Sequence, residues 1–150
     1  MVNIFDVVKY ILSKKSKITA MKLQKLVYYC QAWSIVWDGK TLYKENIEAW
    51  VNGPVVRELY KKHKGMYEIK KSSFIPDLGD ISKLNEDQKE TINAVIKYYG
   101  DKSPQWLSDL THKEAPWIEA REGLLDGERG NQVISHASLE EYYSSLGEDS

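Results

Sequence analysis

Between Thr19 and Gly39 the residues Leu23, Leu26, Val27, Cys30, Trp33 and Trp37 recur at steps of three and four, which places one apolar stripe along a helix. Both ends of the stretch carry stop signals. Thr19 offers a capping hydroxyl, and Gly39 accepts the left-handed backbone that closes a helix C-terminus. Local punctuation elsewhere also favours helices. Asn3 caps a helix over residues 3–14 with Ile4, Val7, Val8, Ile11 and Leu12 on one face. Asn85 with Gln88 forms a capping box ahead of Ile92, Val95, Ile96 and Tyr99, and Gly100 ends that helix. Ser103-Pro104 and Pro116-Trp117 start two short helices, the second reaching about Arg121. Ser138 with Glu141 reads as a second capping box, for a last helix bearing Leu139, Tyr142, Tyr143 and Leu146.

The period changes once. Ile47, Ala49 and Val51 alternate with Glu48 and Trp50, which predicts an extended segment that pairs with Thr41-Leu42-Tyr43 in a small hairpin. Asn52-Gly53-Pro54 follows as a turn, with Pro54 as the first residue of a helix to about Lys62. Residues 64–83 contain Gly65, Ser72-Ser73, Pro76 and Gly79 and read as a long irregular connection with at most a short strand. Residues 123–131 form a loop whose Gly123, Gly127 and Gly130 match neither dinucleotide-binding nor P-loop spacing. The expected fold is mainly α: a compact multi-helix domain with at most a small β-hairpin around residues 41–51. One domain is expected over 1–150, with a frayed tail at 147–150.

Several chemistries lack their residues. The one cysteine, Cys30, allows no internal disulfide and lies on the apolar face of its helix, so it reads as core. His63, His112 and His136 are 49 and 24 residues apart with no cysteine pair, so neither a metal nor another cofactor is expected. His112-Lys113-Glu114 has only half of the zinc-deaminase pattern. An enzyme of another kind would need a pocket gathering His112, Glu114 or Asp109, and no catalytic residue is expected. No apolar run is long enough to cross a bilayer and no signal peptide is evident, which leads to the expectation of a cytoplasmic protein without membrane insertion.

The net charge of -1 conceals a division. Residues 1–71 hold 14 Lys and Arg against 6 Asp and Glu, a balance of +8; residues 72–150 hold 7 against 16, a balance of -9. Either two faces attract each other within the fold, or a basic face awaits an acidic partner. Lys14, Lys15, Lys17, Lys22, Lys25, Lys61, Lys62 and Lys64, with Tyr28 and Tyr29 nearby, could also meet phosphates and stack bases. Against nucleic acid, Arg57 is the only arginine of that half, whereas base readout leans on arginine.

Two blocks carry more information than periodicity. Met21-Lys22-Leu23-Gln24-Lys25-Leu26-Val27-Tyr28-Tyr29-Cys30-Gln31-Ala32-Trp33 is followed by Ile47-Glu48-Ala49-Trp50-Val51-Asn52-Gly53-Pro54-Val55-Val56, and the pair resembles the Panacea domain of SocA-like, phage-associated antitoxins. Tyr99-Gly100, Trp106-Leu107-Ser108-Asp109-Leu110-Thr111-His112 and Glu114-Ala115-Pro116-Trp117 resemble that family's later block, so the likeness runs from Met21 to Arg121. The resemblance implies a helical antitoxin of a bacterial or prophage toxin–antitoxin pair. Such a protein neutralises a cognate protein toxin by direct binding, and one branch of the family delivers its toxin to a protease as an adaptor. The alternative is a nucleic-acid-binding regulator that uses the basic half.

Within the blocks, Leu23 and Leu26 read as core and Gly53-Pro54 as the fixed entry to the next helix. Trp106, His112, Pro116 and Trp117 read as packing residues of the C-terminal helices. If Ile47, Ala49 and Val51 face inward, alternation turns Trp50 outward as an interface anchor. The expected partner-binding surface is Trp50, Asn52, Val55 and Arg57 with Tyr28 and Gln31.

Overall fold

The computed structural model describes residues 1–148, the last two by backbone alone. Its elements in chain order are α1 (Ile4–Lys14), β1 (Lys17–Thr19), α2 (Ala20–Asp38), β2 (Ile47–Trp50), β3 (Gly53–Val56), α3 (Arg57–His63), β4 (Glu68–Lys70), α4 (Glu86–Tyr99), α5 (Pro104–His112), α6 (Ala115–Ala120) and α7 (His136–Glu148). Two single 3₁₀ turns, Pro76–Leu78 and Ile81–Lys83, lead into α4. The fold is mainly α, and its β structure is two separate two-stranded antiparallel sheets, β1 with β4 and β2 with β3. No helix among the described residues is long and apolar enough to cross a membrane.

The helix ends are set by the expected caps. Asn3 accepts from the Phe5 and Asp6 amides while Asp6 returns a bond to the Asn3 amide. Thr19 caps α2, Gly39 closes it at φ 68°, Asn85 and Gln88 form the reciprocal box on α4, and Ser103 caps α5. The last helix differs. It begins at His136, two residues before Ser138, because the Ser135 hydroxyl accepts from the Ser138 amide. The tail expected at 147–150 lies outside the described residues at Asp149 and Ser150; the backbone of Gly147 and Glu148 continues α7.

Helix α2 is the axis of the core, packed by α4, α7, α5, α1 and β3. Leu23, Leu26, Val27, Tyr28, Tyr29, Cys30 and Ala32 are all fully buried. With neighbours on every side, α2 has no solvent face over most of its length, and its polar residues must therefore find partners inside. Tyr28 and Tyr143 share a hydroxyl hydrogen bond of 2.8 Å, and the hydroxyls of Tyr29 and Tyr143 both donate to Glu114 Oε1. Burial raises the Glu114 carboxyl above the usual carboxylate range, while those two hydrogen bonds act in the opposite sense. The Cys30 thiol is likewise pushed up by burial.

Two extended segments differ from the expected pairing. Residues 41–43 form no strand because α2 takes their backbone: Gln31 Oε1 accepts from Leu42 N at 2.5 Å, and Gln31 Nε2 donates to Tyr43 O at 2.8 Å. β2 pairs forward instead, with Ile47 opposite Val56 and Trp50 opposite Gly53. Pro54 is consequently a strand residue facing Ala49, and the helix expected to start there begins at Arg57. A proline on an outer strand loses no ladder bond, so the same residue suits either context. The β1–β4 pair, centred on Ile18 opposite Ile69, was not expected. Both isoleucines are buried, so the pair also covers one end of the core.

Candidate partner-binding cleft

The turn that joins β2 to β3 is held from two sides. From one side come polar residues of α2. Gln24 Oε1 accepts from Val56 N at 2.9 Å while its Nε2 donates to Val56 O at 3.3 Å and to His63 Nε2 at 3.0 Å. The next residue, Lys25, sends Nζ to Pro54 O at 3.1 Å. Gly53 makes that approach possible. At φ 122° it lies where side chains rarely fit, and a Cβ there would sit 2.6 Å from Lys25 Cε.

From the other side, four consecutive carbonyls each receive one side-chain donor. Arg121 Nη1 reaches Ala49 O at 2.9 Å, Trp117 Nε1 reaches Trp50 O at 2.8 Å, His112 Nε2 meets Val51 O at 2.8 Å, and Ser108 Oγ reaches Asn52 O at 2.8 Å. The donors lie four, five and four residues apart, so α5 and α6 present them along one line. The imidazole of His112 also packs on the Trp117 indole, with 4.1 Å between centroids. Backbone groups in a turn are ordinarily left to water. Here protein atoms hold them.

Trp50 stands on this clamped turn, half-buried, with Ile47 and Ala49 turned into the core. Its indole N–H donates to Glu48 Oε1 at 2.9 Å, and Arg57 clasps the same carboxylate through Nε and Nη2 at 2.9 and 2.8 Å. The guanidinium lies 5.6 Å from the Trp50 ring centroid, and Tyr60 meets the ring edge-on at 4.9 Å. The bond to Arg57 holds the Glu48 carboxyl below the usual carboxylate range.

In front of this wall lies a cleft of about 720 Å³, bounded by the start of α2, the β2–β3 turn, α3 and the 129–131 loop. Its lining includes Met21, Gln24, Lys25, Trp50, Val51, Asn52, Val55, Arg57, Tyr60, His63, Arg129 and Asn131. Four of the six residues expected on a binding surface therefore converge: Trp50, Asn52, Val55 and Arg57. Val55 is only 8% exposed and contributes to the floor rather than the rim. Tyr28 and Gln31 do not belong to the surface, since both are fully buried, Tyr28 against Tyr143 and Gln31 against residues 42–43. An amphipathic stripe implies a solvent face, and α2 lacks one where they sit.

The residues read as structural divide similarly. Leu23 and Leu26 are core, Pro116 is buried at the start of α6, and Gly53, Pro54, His112 and Trp117 belong to the clamp. Trp106 departs from the packing role: it is 42% exposed, with Lys102 Nζ 5.1 Å from its ring. Asp109, His112 and Glu114 engage different partners, namely Gln105, the Val51 carbonyl and the two tyrosines. Among the described residues no three His, Cys, Asp or Glu side chains are grouped to hold a metal ion. Lys25, Tyr60, His63 and the 129–131 loop were missed as parts of one site.

A family model described as antitoxin SocA-like, Panacea domain, matches residues 23–118. The chain belongs to that family. The match covers the first signature block from Leu23, the second block, and the later one through Trp117, so the clamp donors Ser108, His112 and Trp117 lie inside the Panacea domain, while Arg121 lies just beyond the matched span. No curated protein and no solved structure matches the chain. Membership in a SocA-like antitoxin family supports a role of toxin–antitoxin type in general terms, and with it a protein partner.

Proposed function

We propose that this Panacea-domain chain is an antitoxin that neutralises a protein toxin by direct binding, and that the Trp50 turn with its cleft is the contact surface. One observation carries the choice of surface. The turn is bonded at four successive carbonyls while its tryptophan remains partly open to solvent. An aromatic anchor that is already ordered loses little conformational entropy when a partner covers it. On this reading the chain acts as a binding protein rather than an enzyme, and in the cytoplasm, where its toxin would act.

The test is a rescue assay. Any small open reading frame found beside this gene is expressed alone and then together with the chain. Rescue by the wild type, with loss of rescue by a folded Trp50→Ala variant, supports the reading; a hot-spot tryptophan costs on the order of 2 kcal/mol or more on truncation. Full protection by folded Trp50→Ala removes the turn as an anchor. Requiring a protease-deficient host for or against rescue separates occlusion from delivery for proteolysis.

The nucleic-acid reading has one observation in its favour. Antiparallel pairing sets Lys17 opposite Lys70, beside Lys71, in a shallow depression of about 500 Å³. Salt-dependent retention on DNA, lost on neutralising Lys14, Lys15 and Lys17, is what it requires.

A further inference from the structure

The cleft is one-signed. None of its lining residues is Asp or Glu, although acidic residues outnumber basic ones in the whole chain, 22 to 21. Lys25, Arg57 and Arg129 all line it, with His63 beside them. Of these cations Arg57 is engaged by Glu48, whereas Lys25 and Arg129 form no ion pair among the described residues.

Lys25 is the more telling of the two. It is 2% exposed, and Pro54 O takes one of its three N–H donors; burial without a compensating carboxylate brings its pKa down to about 8. The same cation contributes to lowering the His63 pKa, after desolvation, which comes first. A desolvated ammonium at the floor of an open cleft carries a penalty that a meeting anion offsets. The wider charge pattern agrees. All three ion pairs of the described residues lie within one half of the chain: Arg57–Glu48 and Lys61–Glu58 in the basic half, Lys89–Glu86 in the acidic half. No short ion pair between the halves uses up the +8 balance.

We infer that the cleft receives a carboxylate from an acidic peptide segment of the protein partner, with Lys25 meeting it at the floor and Arg129 at the rim. Trp50 and Tyr60 supply the apolar wall against which the segment's stem lies, and the amides of Asn52 and Asn131 are available to its backbone. A volume of about 720 Å³ holds a few residues rather than a folded domain, so the recognised element is a short acidic segment. This inference rests on the partner being a protein, as proposed above.

Random-peptide display on the immobilised full chain tests it without knowledge of the toxin, in parallel with retention of a labelled oligothymidylate. The wild type is expected to enrich peptides rich in Asp and Glu, and a selected peptide to shift the Trp50 indole resonance. Lys25→Met and the exposed change Arg129→Glu are each expected to weaken that peptide at least about tenfold. Arg129→Glu guards the result against a folding defect, because its side chain makes no hydrogen bond in the fold. Selection without acidic enrichment, unchanged affinity in folded Arg129→Glu, or oligothymidylate held in the cleft in preference to the peptides would overturn the inference. Toxin rescue by the wild type without acidic enrichment sinks the cleft inference alone; acidic enrichment without rescue sinks the antitoxin reading alone.

Discussion

Replacing Lys25 by Met isolates the cost of the buried cation. In the native chain its pKa is about 8, against an ordinary value of 10.5. Between those two values the unfolded chain holds a proton that the native chain has released, so stability rises with pH across that window. Below pH 8 the amine is charged in both states and the whole penalty is present. A gap of about 2.5 pH units at about 1.4 kcal/mol each corresponds to roughly 3 kcal/mol. Methionine preserves the length of the stem, carries no charge and forfeits one hydrogen bond to Pro54 O, a loss of about 1–2 kcal/mol. At pH 7 Lys25→Met should therefore exceed the wild type in stability by about 1–2 kcal/mol. The advantage should shrink above pH 8 and reverse near pH 10. Urea unfolding followed by tryptophan fluorescence at a series of pH values gives the difference between the two proteins, in which the titrations they share cancel. A difference that stays flat from pH 7 to pH 10 would refute the claim that Lys25 is an uncompensated buried cation.

Three further substitutions probe the clamp and the core. Trp117→Phe keeps the ring against His112 and removes the donor to Trp50 O, so stability should fall by about 1–2 kcal/mol in urea unfolding, with the Trp50 amide exchanging faster by hydrogen exchange. Gly53→Ala should cost on the order of 1–3 kcal/mol, seen as a Tm lower by several degrees, because the new methyl meets both an unfavourable φ and Lys25 Cε. Tyr143→Phe strips one of two donors from Glu114 and the partner of the Tyr28 hydroxyl, a loss of about 1–3 kcal/mol. That loss should be larger where native Glu114 is ionised than at low pH. With Glu114 protonated there is no buried carboxylate to leave short of donors, so the difference grows only as pH rises past its native pKa, which lies above the unfolded one and which the lost donor raises further. A loss that stays constant from about pH 4 to the alkaline limit of folding would contradict this.

Four helices were legible because their starts carry a signal within four residues: Asn3, Thr19, Asn85 and Ser103 cap the backbone that follows them, whereas α3 has no side-chain cap and α7 starts two residues ahead of its expected box. Elements fixed by distant partners were not. β1 and β4 are three residues each, too short to show a period, and are joined across about fifty residues of chain. Residues 41–43 look as extended as 47–50, and what separates them is Gln31, which occupies the backbone of one and not the other. The same blindness affected the site. Alternation in β2 turned Trp50 away from Ile47 and Ala49, although Val51, expected inside, lines the cleft; Asn52, Val55 and Arg57 were named as its neighbours in the chain, not from any period. The stripe on α2 gave no sign that Tyr28 and Gln31 were enclosed, since enclosure depends on α4 and α7 covering the second face. A sequence signal for Lys25 did exist. Gln24 and Lys25 interrupt Leu23 and Leu26 at adjacent positions, and in a helix covered on every side such polar residues must bond inward.

The three blocks that carry the family likeness are thereby one mechanical unit rather than three separate patches of core. The first supplies Gln24 and Lys25, which fix β3 from within; the second is the β2–β3 hairpin itself; the last supplies Ser108, His112 and Trp117 to the turn, and Arg121 extends the row. These bonds hold the turn's shape and leave recognition to what they do not engage. That is the face of Trp50, the two remaining N–H groups of Lys25, the side chain of Asn52, and the 129–131 loop, where Arg129 is exposed and lies outside the matched family span. A rigid frame beneath a rim that is free to change separates the requirement to fold from the choice of partner, because substitutions at Arg129 or Asn131 disturb no hydrogen bond of the clamp. Affinity common to many partners would then come from the framed tryptophan and the buried lysine. Discrimination among partners would come from the rim.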